Sequence, residues 1–171
     1  MGDFLSEFAM PPQRTYGMRG FQILSHRDRP RLEAFFLAFD VDQRREYFGG
    51  RVSDDLIRDY CSAIRWNDTT IIARSCGARL DAVAILTATA SRRIAELSMA
   101  CAPTCERQPL VADLLDLALA AASLSYSQLI IRCERAMPEL LTQLHPSPFA
   151  IFDVDIVRVD VPCYSAKIVA C

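Results

Sequence analysis

The sequence lacks three features that would each place it in a familiar class of protein. It has no run of about 18 uncharged apolar residues, so we expect no membrane-spanning segment. Its Lys and Arg residues form no cluster and the net charge is −2, which argues against nucleic acid as a partner. Two His are too few to complete a credible zinc set with the closely spaced Cys101 and Cys105.

The sequence also lacks the features of a secreted, disulfide-rich protein. Its seven Cys are an odd number, and most of them lie in predicted apolar strands or helices. The opening Met-Gly-Asp is not followed by the apolar segment of a signal peptide. We therefore expect reduced, mostly buried cysteines and a cytoplasmic protein.

What is present is enough apolar sequence for one folded domain. The chain has 171 residues, of which 51% are hydrophobic and nine are Phe. This length and composition allow a sizeable core. Residues 1–20 carry Pro11, Pro12 and no hydrophobic period, and we interpret them as a flexible leader. Residues 21–171 contain no linker or repeat and form the single predicted domain.

A strand–helix–strand unit organises the chain. Ile94–Cys101 and Gln128–Arg132 are predicted strands, and Gln108–Tyr126 is a predicted helix. Polar residues form only a narrow stripe on this helix, at positions such as Asp113 and Asp116, so the helix must lie flat on a sheet. Two strands joined by a helix of this length are parallel and have a right-handed crossover.

The other elements complete an α/β (α+β) fold, with a mixed, twisted sheet of about seven strands flanked by about four helices. The predicted core combines the long helix with the strands, through Leu114, Leu115, Ala118, Leu119, Ile72, Ile85, Leu97, Met99 and Ile130. The remaining predicted strands are Phe21–Leu24, Thr69–Arg74 and Leu80–Thr89, and the remaining helices begin at Asp28, Ser53 and Ala136, with a short helical turn at Asp42–Phe48.

The C-terminal part of the sequence predicts a hairpin of Phe149–Asp160 with Tyr164–Ala170. Apolar and charged residues alternate strongly along its first strand. This apolar set exceeds what an exposed sheet edge normally shows to water, so we expect the hairpin to support a homodimer.

Six short segments carry a resemblance to a known family. They are Arg44–Gly49, Ser53–Leu56, Ile64–Trp66, Gly77–Ala84, Ala95–Met99 and Glu134–Met137. In this order they resemble the GNAT N-acetyltransferases, in particular the subgroup appended to larger acyl-CoA synthetase-like proteins. The likeness spans about Phe21–Phe149. It implies a GNAT-like fold, acetyl-CoA as cofactor and an amine as the acetyl acceptor.

The resemblance also locates the loop that would hold the pyrophosphate of acetyl-CoA, and here the chain departs from the family. The family pattern is [QR]-x-x-G-x-[GA], and this chain has Glu106, Pro109 and Val111 at its three defined positions. Pro109 has no N–H to donate. Val111 adds a branched side chain where the backbone should approach the ligand, and Glu106 adds negative charge. We therefore expect poor affinity for acetyl-CoA.

The resemblance implies a set of cofactor-binding residues. The pantetheine arm would meet backbone groups of Met99 and Cys101. The pyrophosphate would meet the start of the long helix, at Arg107, Gln108, Leu110 and Val111, where Arg107 and Gln108 could supply side-chain donors. No metal is implied.

The catalytic residues of the family are altered as well. Glu134 replaces an Asn that often follows the fifth strand, and the helix after it has no Tyr. Glu96 is the candidate general base, acting through a water. The alternative for Glu96 is a strand-edge or salt-bridged carboxylate. Cys101 and Cys105 are poor nucleophile candidates because no His is placed to activate them.

The sequence therefore supports two functions. The first is a GNAT-fold module that binds acyl-CoA, another ligand or a partner weakly and without catalysis. The alternative is an active acyl-CoA-dependent N-acetyltransferase with a divergent cofactor loop. The acceptor amine is not identified by the sequence.

Overall fold

A computed structural model describes residues 20–103, 107–132, 150–152 and 156–160. The helices are α1 (Arg29–Leu37), α2 (Val41–Phe48), α3 (Asp54–Ala63) and α4 (Arg107–Ser123), with a short 3-10 turn at His26–Asp28. The strands are β1 (Phe21–Leu24), β2 (Thr69–Cys76), β3 (Arg79–Ala88), β4 (Ile94–Cys101), β5 (Gln128–Arg132), β6 (Ala150–Phe152) and β7 (Ile156–Asp160).

The strands form a mixed sheet in the order β1-β2-β3-β4-β5-β7-β6. Neighbours from β1 to β4 are antiparallel, and β4 and β5 are parallel. The predicted mixed α+β architecture and the strand–helix–strand unit are therefore confirmed. No helix in the described part of the chain is long and apolar enough to cross a membrane.

The pairing of β4 is uneven on its two sides. On one side, every residue of β4 from Ala95 to Cys101 pairs with β3, from Ala88↔Ala95 to Ala82↔Cys101. On the other side the parallel register with β5 covers Ile94, Ala95 and Glu96, which pair with Gln128, Leu129 and Ile130. Among the described residues this register ends at Glu96. The residues that would lie opposite Met99 and Cys101 follow Arg132 and are outside the described part of the chain, so the predicted splay between the two strands stays a prediction.

Helix α4 covers one face of the sheet. It packs against β2, β3 and β4, and its buried side chains are Leu110, Val111, Leu114, Leu115, Ala118 and Ala122. They meet the alternate strand residues Ala84, Leu86, Leu97 and Leu129 in one core. Alternation along the strands explains this grouping, since every second side chain points to the same face.

The other face of the sheet carries a second core, made with α1 and α3. Leu32, Phe35 and Phe36 of α1 and Ile57 and Cys61 of α3 are buried there. Local sequence fixes the ends of these helices. Ser53 caps α3 by accepting a hydrogen bond from the Leu56 N–H, as predicted. Gly49 ends α2 in the left-handed conformation, with φ of 77°.

Three predicted core residues are placed differently by the structure. Ile85 belongs to the second core, on the face opposite α4. Ile130 is only half-buried, whereas Leu129 and Ile131 are buried under α4. Leu119 is partly buried. The error at β5 is one of register, because a shift of one residue moves each side chain to the opposite face.

Two helix boundaries also differ from the prediction. Helix α4 ends at Ser123 instead of Tyr126, and the chain then turns through hydrogen bonds to Ala121 and Ala122, which leaves Leu124 64% exposed. Asp28 precedes α1, but its carboxylate accepts from Ser25 and Arg31 and makes no cap to α1. A short carboxylate that has nearby donors outside the helix need not cap it.

The predicted single strand Phe149–Asp160 is wrong. Within it the structure has two strands, and β6 pairs antiparallel with β7, as in Ala150↔Val159. The alternating pattern is compatible with one strand or two, and the residues between the strands include Asp153 and Asp155, which favour turns. Tyr164–Ala170, Ala136–Leu144 and residues 1–19 lie outside the described residues, so the leader and the homodimer stay predictions.

Truncation of the buried face of α4 should destabilise the protein. Leu115 is 3% exposed in the first core, so Leu115→Ala is expected to lower the free energy of unfolding by about 2–5 kcal/mol. Leu124 is exposed and directly follows the last residue of the same helix. Leu124→Ala should therefore change the free energy of unfolding by less than about 0.5 kcal/mol. Urea denaturation of both variants checks the assignment, which a loss below about 1 kcal/mol for Leu115→Ala would contradict.

Candidate functional site

The candidate site lies at the carboxyl ends of β4 and β5, beyond the last described pair between the two strands, Glu96↔Ile130. Met99 and Cys101 are in this part of β4, and their side chains are buried in the first core. They pair with Ala84 and Ala82 of β3. A ligand between β4 and β5 would therefore meet the backbone of this stretch, which is the contact that the sequence analysis assigned to them.

Helix α4 begins beside the same end of β4. Its first turn contains Arg107, Gln108, Pro109 and Leu110, and the first backbone N–H groups of a helix have no partner within the helix. Pro109 is exposed and has no N–H, so this turn offers one donor fewer to an anion. Residues 104–106, including Glu106, lie outside the described residues.

Leu110 and Val111 have packing roles at this helix start. Their side chains are 1% and 0% exposed and belong to the first core. The branched side chain of Val111 therefore points into the protein, and it gives no steric argument against a ligand at the helix terminus. Of the sequence arguments for a poor pyrophosphate site, the missing N–H of Pro109 is the one that the described structure supports.

Glu96 stands on an interior strand, paired with Thr87 on β3 and Ile130 on β5. It is half-buried, and the alternation along β4 puts it on the second face together with Ser98. Of the alternative interpretation, the strand-edge position is therefore wrong, and a salt-bridged carboxylate stays a prediction. Burial is the main cause of the raised pKa of Tyr60, and the negative charge of Glu96 adds to it.

Two tyrosine hydroxyls reach the same side of β4 from the helices. Tyr47 of α2 has its hydroxyl 3.1 Å from Ser98 Oγ and 3.4 Å from the hydroxyl of Tyr60 on α3. Burial raises the pKa of Tyr47 well above its usual value and also raises the pKa of Tyr60. Both phenols therefore stay protonated at neutral pH, and each can donate and accept a hydrogen bond.

An aromatic cluster holds these two tyrosines in place. Tyr47 packs against Phe36 and Phe48, with ring centroids 4.9 Å apart in both pairs. Tyr60 lies 5.3 Å from Phe48 and 5.7 Å from Phe36 in edge-on contacts. Such edge-to-face contacts are favourable and directional. The rings thus fix where the two hydroxyls point.

Arg44 fixes the helices that carry the cluster. Its guanidinium donates to the carbonyl oxygens of Leu37 (2.9 Å), Phe39 (3.0 Å) and Val52 (3.2 Å), and to the carboxylate of Asp54 (2.7 Å). The first two carbonyls lie at the end of α1, where backbone acceptors have no helical partner. One planar group therefore connects the end of α1, the start of α3 and α2 itself.

The site thus combines one carboxylate, Glu96, and three hydroxyls, those of Tyr47, Tyr60 and Ser98, on one face of β4. The sequence analysis found Glu96 but assigned no role to Tyr47, Tyr60 or Ser98. Tyr47 lies within one of the segments that carry the family resemblance, which was the available signal. In the described part of the chain, no cluster of three His, Cys, Asp or Glu side chains could hold a metal ion.

Comparison with known proteins identifies the fold. No family profile and no curated protein matches the chain. The GNAT domain of PAT from S. lividans superposes with a TM-score of 0.61 at 15% identity, covering 81% of this chain and 87% of that one. A GNAT superfamily phosphinothricin acetyltransferase from Sinorhizobium meliloti, in complex with AcCoA, has a TM-score of 0.61 at 13% identity, covering 82% of this chain and 87% of that one.

A third solved structure is similar over a larger share of its own chain. Spermidine N-acetyltransferase from Vibrio cholerae, in complex with CoA and spermine, has a TM-score of 0.61 at 12% identity, covering 83% of this chain and 96% of that one. Similarity at these identities shows that the chain has the fold of the GNAT acetyltransferases. Its placement in the subgroup appended to acyl-CoA synthetase-like proteins stays a prediction.

The buried tyrosines should make stability fall at alkaline pH. Their pKa values are raised on folding, so above the unfolded value of about 10 the folded state binds more protons and the free energy of unfolding decreases as pH rises. Burial also raises the pKa of Cys61 from 9.0 to about 11, which adds a decrease over that interval. In the double variant Tyr47→Phe with Tyr60→Phe the decrease above about pH 10 should be smaller.

Denaturation of both proteins at several pH values between about 8 and 11 measures this effect. Cys61→Ala serves as the control, because it should remove the decrease that begins near pH 9 and keep the part due to the tyrosines. Equal pH dependence in the double variant and the unmodified protein would contradict the assigned burial of the two phenols.

Proposed function

We propose that the chain is a GNAT-fold domain that takes the acyl-pantetheine part of an acyl-CoA between β4 and β5 and holds its pyrophosphate weakly. The observation that carries this proposal is the parallel register of β4 and β5, whose described pairs end at Glu96 and Ile130 while β4 continues to Cys101, six residues before α4 begins. Two diverging strands leave backbone groups that can pair with an extended ligand carrying amides, and pantetheine is such a ligand.

The weak hold on the pyrophosphate follows from Pro109. An anion at a helix N-terminus is bound by the first N–H groups and by the helix dipole. Proline in the first turn removes one of those donors, and a phosphate oxygen left without its donor costs on the order of 1–3 kcal/mol. A loss of this size weakens binding by about one to two powers of ten.

Known proteins of the same fold support the class of ligand. The Sinorhizobium meliloti protein was solved with AcCoA and the Vibrio cholerae protein with CoA and spermine. Acyl-CoA is therefore the first ligand to test on this chain. When bound, it would supply an acyl group activated as a thioester.

Two ligands and one substitution test the weak pyrophosphate site. Acetyl-CoA and S-acetylpantetheine, which lacks the nucleotide and its pyrophosphate, should bind the unmodified protein with similar affinity in calorimetry. Pro109→Ala restores the N–H and should strengthen the binding of acetyl-CoA by about ten-fold. It should leave the affinity for S-acetylpantetheine unchanged. Val111 is kept, since its replacement would open a cavity in the first core.

A matched control is available in α1. Pro30 is also an exposed proline in the first turn of a helix, and Pro30→Ala should not change the affinity for either ligand. If the unmodified protein binds acetyl-CoA at low micromolar concentration and Pro109→Ala binds it no better, the argument for a weak pyrophosphate site is wrong.

A second function is favoured by the polar groups beside β4. Glu96 is the last residue of β4 that pairs with β5 among the described residues, and Ser98, with the hydroxyls of Tyr47 and Tyr60 close to it, lies on the same face of the strand. This arrangement suits N-acyl transfer, in which Glu96 accepts the proton of an amine through a water. Weak pyrophosphate binding is compatible with this function. It lowers the fraction of the protein that has the cofactor bound, and it does not change the rate of the chemical step in the bound complex.

Removal of the Glu96 charge tests the second function. Glu96→Gln should lower kcat for acetyl transfer to small amines by roughly two to four powers of ten, the usual contribution of a positioned base. Asp113→Asn, on α4 at the opposite face of the sheet, should leave kcat unchanged. Turnover should be measured at acetyl-CoA concentrations high enough to saturate the site. An equal kcat for Glu96→Gln and the unmodified protein would exclude Glu96 as the base.

A further inference from the structure

We propose that residues 40–50, which contain α2, form a lid that opens as a unit while the rest of the domain stays folded. Two side chains of α2 hold this lid closed. The Arg44 guanidinium connects it to the chain before and after it, and the Tyr47 hydroxyl connects it to β4. The opening of the lid goes beyond the functions proposed above and does not depend on them.

Helix α2 has the least backbone contact of the described helices. Helix α1 packs along α3 and β3, and α4 packs on β2, β3 and β4, whereas the backbone of α2 has no comparable contact with any described element. Of its side chains only Gln43 is buried, and Val41 is 65% exposed. Elements with few buried contacts open locally at a lower free energy than the core of a protein.

The ends of the segment allow it to separate from its neighbours. Gly49 and Gly50 lie between α2 and α3, where Gly49 has φ of 77° and a Cβ at Gly50 would meet no atom within 4 Å. In the described chain, the backbone hydrogen bonds of residues 40–50 join members of this segment to each other. A released helix of eight residues is too short to be stable in water, so opening exposes its amides to solvent.

Arg44 connects the segment to the chain on both sides. Its guanidinium donates to the carbonyl oxygens of Leu37 and Phe39, which precede the segment. It also donates to the carbonyl oxygen of Val52 and the carboxylate of Asp54, which follow the segment. All four acceptors lie outside the residues that would move. Release of one planar group therefore frees both ends of the lid.

Tyr47 connects the same segment to the sheet. Its hydroxyl is 3.1 Å from Ser98 Oγ on β4 and 3.4 Å from the hydroxyl of Tyr60 on α3. The rings of Tyr47 and Phe48 also pack on Phe36, with ring centroids 4.9 Å and 5.5 Å away. Opening would uncover Phe36, which is fully buried in the closed state, and the burial of its ring favours closing again.

The face of β4 under the lid is the one that carries the candidate base. Ala95 and Leu97 point into the first core under α4, so Glu96 and Ser98 alternate to the side that faces the helices α1, α2 and α3. Opening of α2 would make this face more accessible to an amine. That use of the lid rests on the second function proposed above, whereas the lid itself is tested without it.

A fixed structural helix is the alternative for α2. In that case Arg44 and Tyr47 stabilise the whole domain, and the amides of α2 become exposed only when the domain unfolds. The two cases differ in the free energy of opening at α2. Amide hydrogen exchange followed by NMR measures this quantity residue by residue.

The first measurement compares matched amides in the unmodified protein. The Arg44 N–H donates to the carbonyl of the cap residue Asp40 (3.0 Å), and the Ile57 N–H donates to the carbonyl of the cap residue Ser53 (3.1 Å). Corrected for local sequence, the Arg44 amide should exchange about 100-fold faster or more, at a rate that low urea does not change. The Gly49 amide, at the other end of α2, should show the same free energy of opening. Equal exchange at Arg44 and Ile57, with equal dependence on urea, would overturn the lid.

The second measurement tests the two contacts, with the Gly49 amide as the reporter. Arg44→Lys keeps the charge but loses the planar fork, and should speed exchange by about ten-fold or more. Tyr47→Phe and Ser98→Ala remove one hydrogen bond from its two sides, and each should speed exchange by about two- to ten-fold. The double variant should match Tyr47→Phe alone. Because Ser98 is on β4, an effect of Ser98→Ala on α2 reports the contact between them.

Two control variants separate local opening from general destabilisation. Arg45 is exposed beside Arg44 and makes no side-chain hydrogen bond or ion pair within the described chain, so Arg45→Lys should not change exchange at Gly49. Ile131 is buried in the first core under α4. Ile131→Val should speed the most protected amides of β3 by about two- to ten-fold and leave Gly49 unchanged, because β5 stays folded when the lid opens.

Two results of this second measurement would each overturn the lid. One is unchanged exchange at Gly49 in both Tyr47→Phe and Ser98→Ala. The other is an acceleration at Gly49 in Ile131→Val equal to that in β3. All of these experiments use the protein without acyl-CoA, so failure of the lid leaves the proposed functions standing, and failure of acetyl transfer leaves the lid.

Discussion

The unequal pairing of β4 is the constraint on which the site depends. Its antiparallel register with β3 continues to Cys101, whereas its parallel register with β5 ends at Glu96. The strand is therefore paired with β3 over nearly its whole length, whereas its described pairs with β5 cover only its first three residues. Because α4 follows β4 in the chain, the same end of the sheet also carries the helix N-terminus. Backbone geometry alone thus brings a gap and a helix dipole together.

The groups that could act in this gap are placed by the opposite layer of the protein. Tyr47 and Tyr60 are on α2 and α3, and their rings pack on Phe36 of α1. Arg44 binds the end of α1 and the start of α3. The three helices therefore act as one support, and a change at Arg44 would move both hydroxyls relative to Ser98. The positions of the hydroxyls therefore depend both on aromatic packing and on the hydrogen bonds of Arg44.

The sequence was sufficient for features that depend on local pattern. The apolar period of α4, the strand–helix–strand unit and the cap at Ser53 were predicted and are confirmed. It failed at Ile130, where short apolar strands allow two registers and only the tertiary partner selects one. The contact of Tyr47 with Ser98 joins residues 51 positions apart. No local pattern indicates such a contact, and it depends on three helices being in place.

In the functions proposed above, Pro109 would affect cofactor binding and Glu96 would affect the chemical step, so the two proposals can be tested separately. The pyrophosphate does not react, so a donor missing from the helix terminus weakens the binding of the cofactor equally in the ground state and the transition state. Such a loss raises KM and leaves kcat unchanged. A base on β4 contributes only when a proton moves, so it acts on kcat. The two residues lie on different elements, α4 and β4. Weak cofactor binding and acid–base chemistry can therefore coexist in this domain, and a high dissociation constant for acetyl-CoA is not by itself evidence against catalysis.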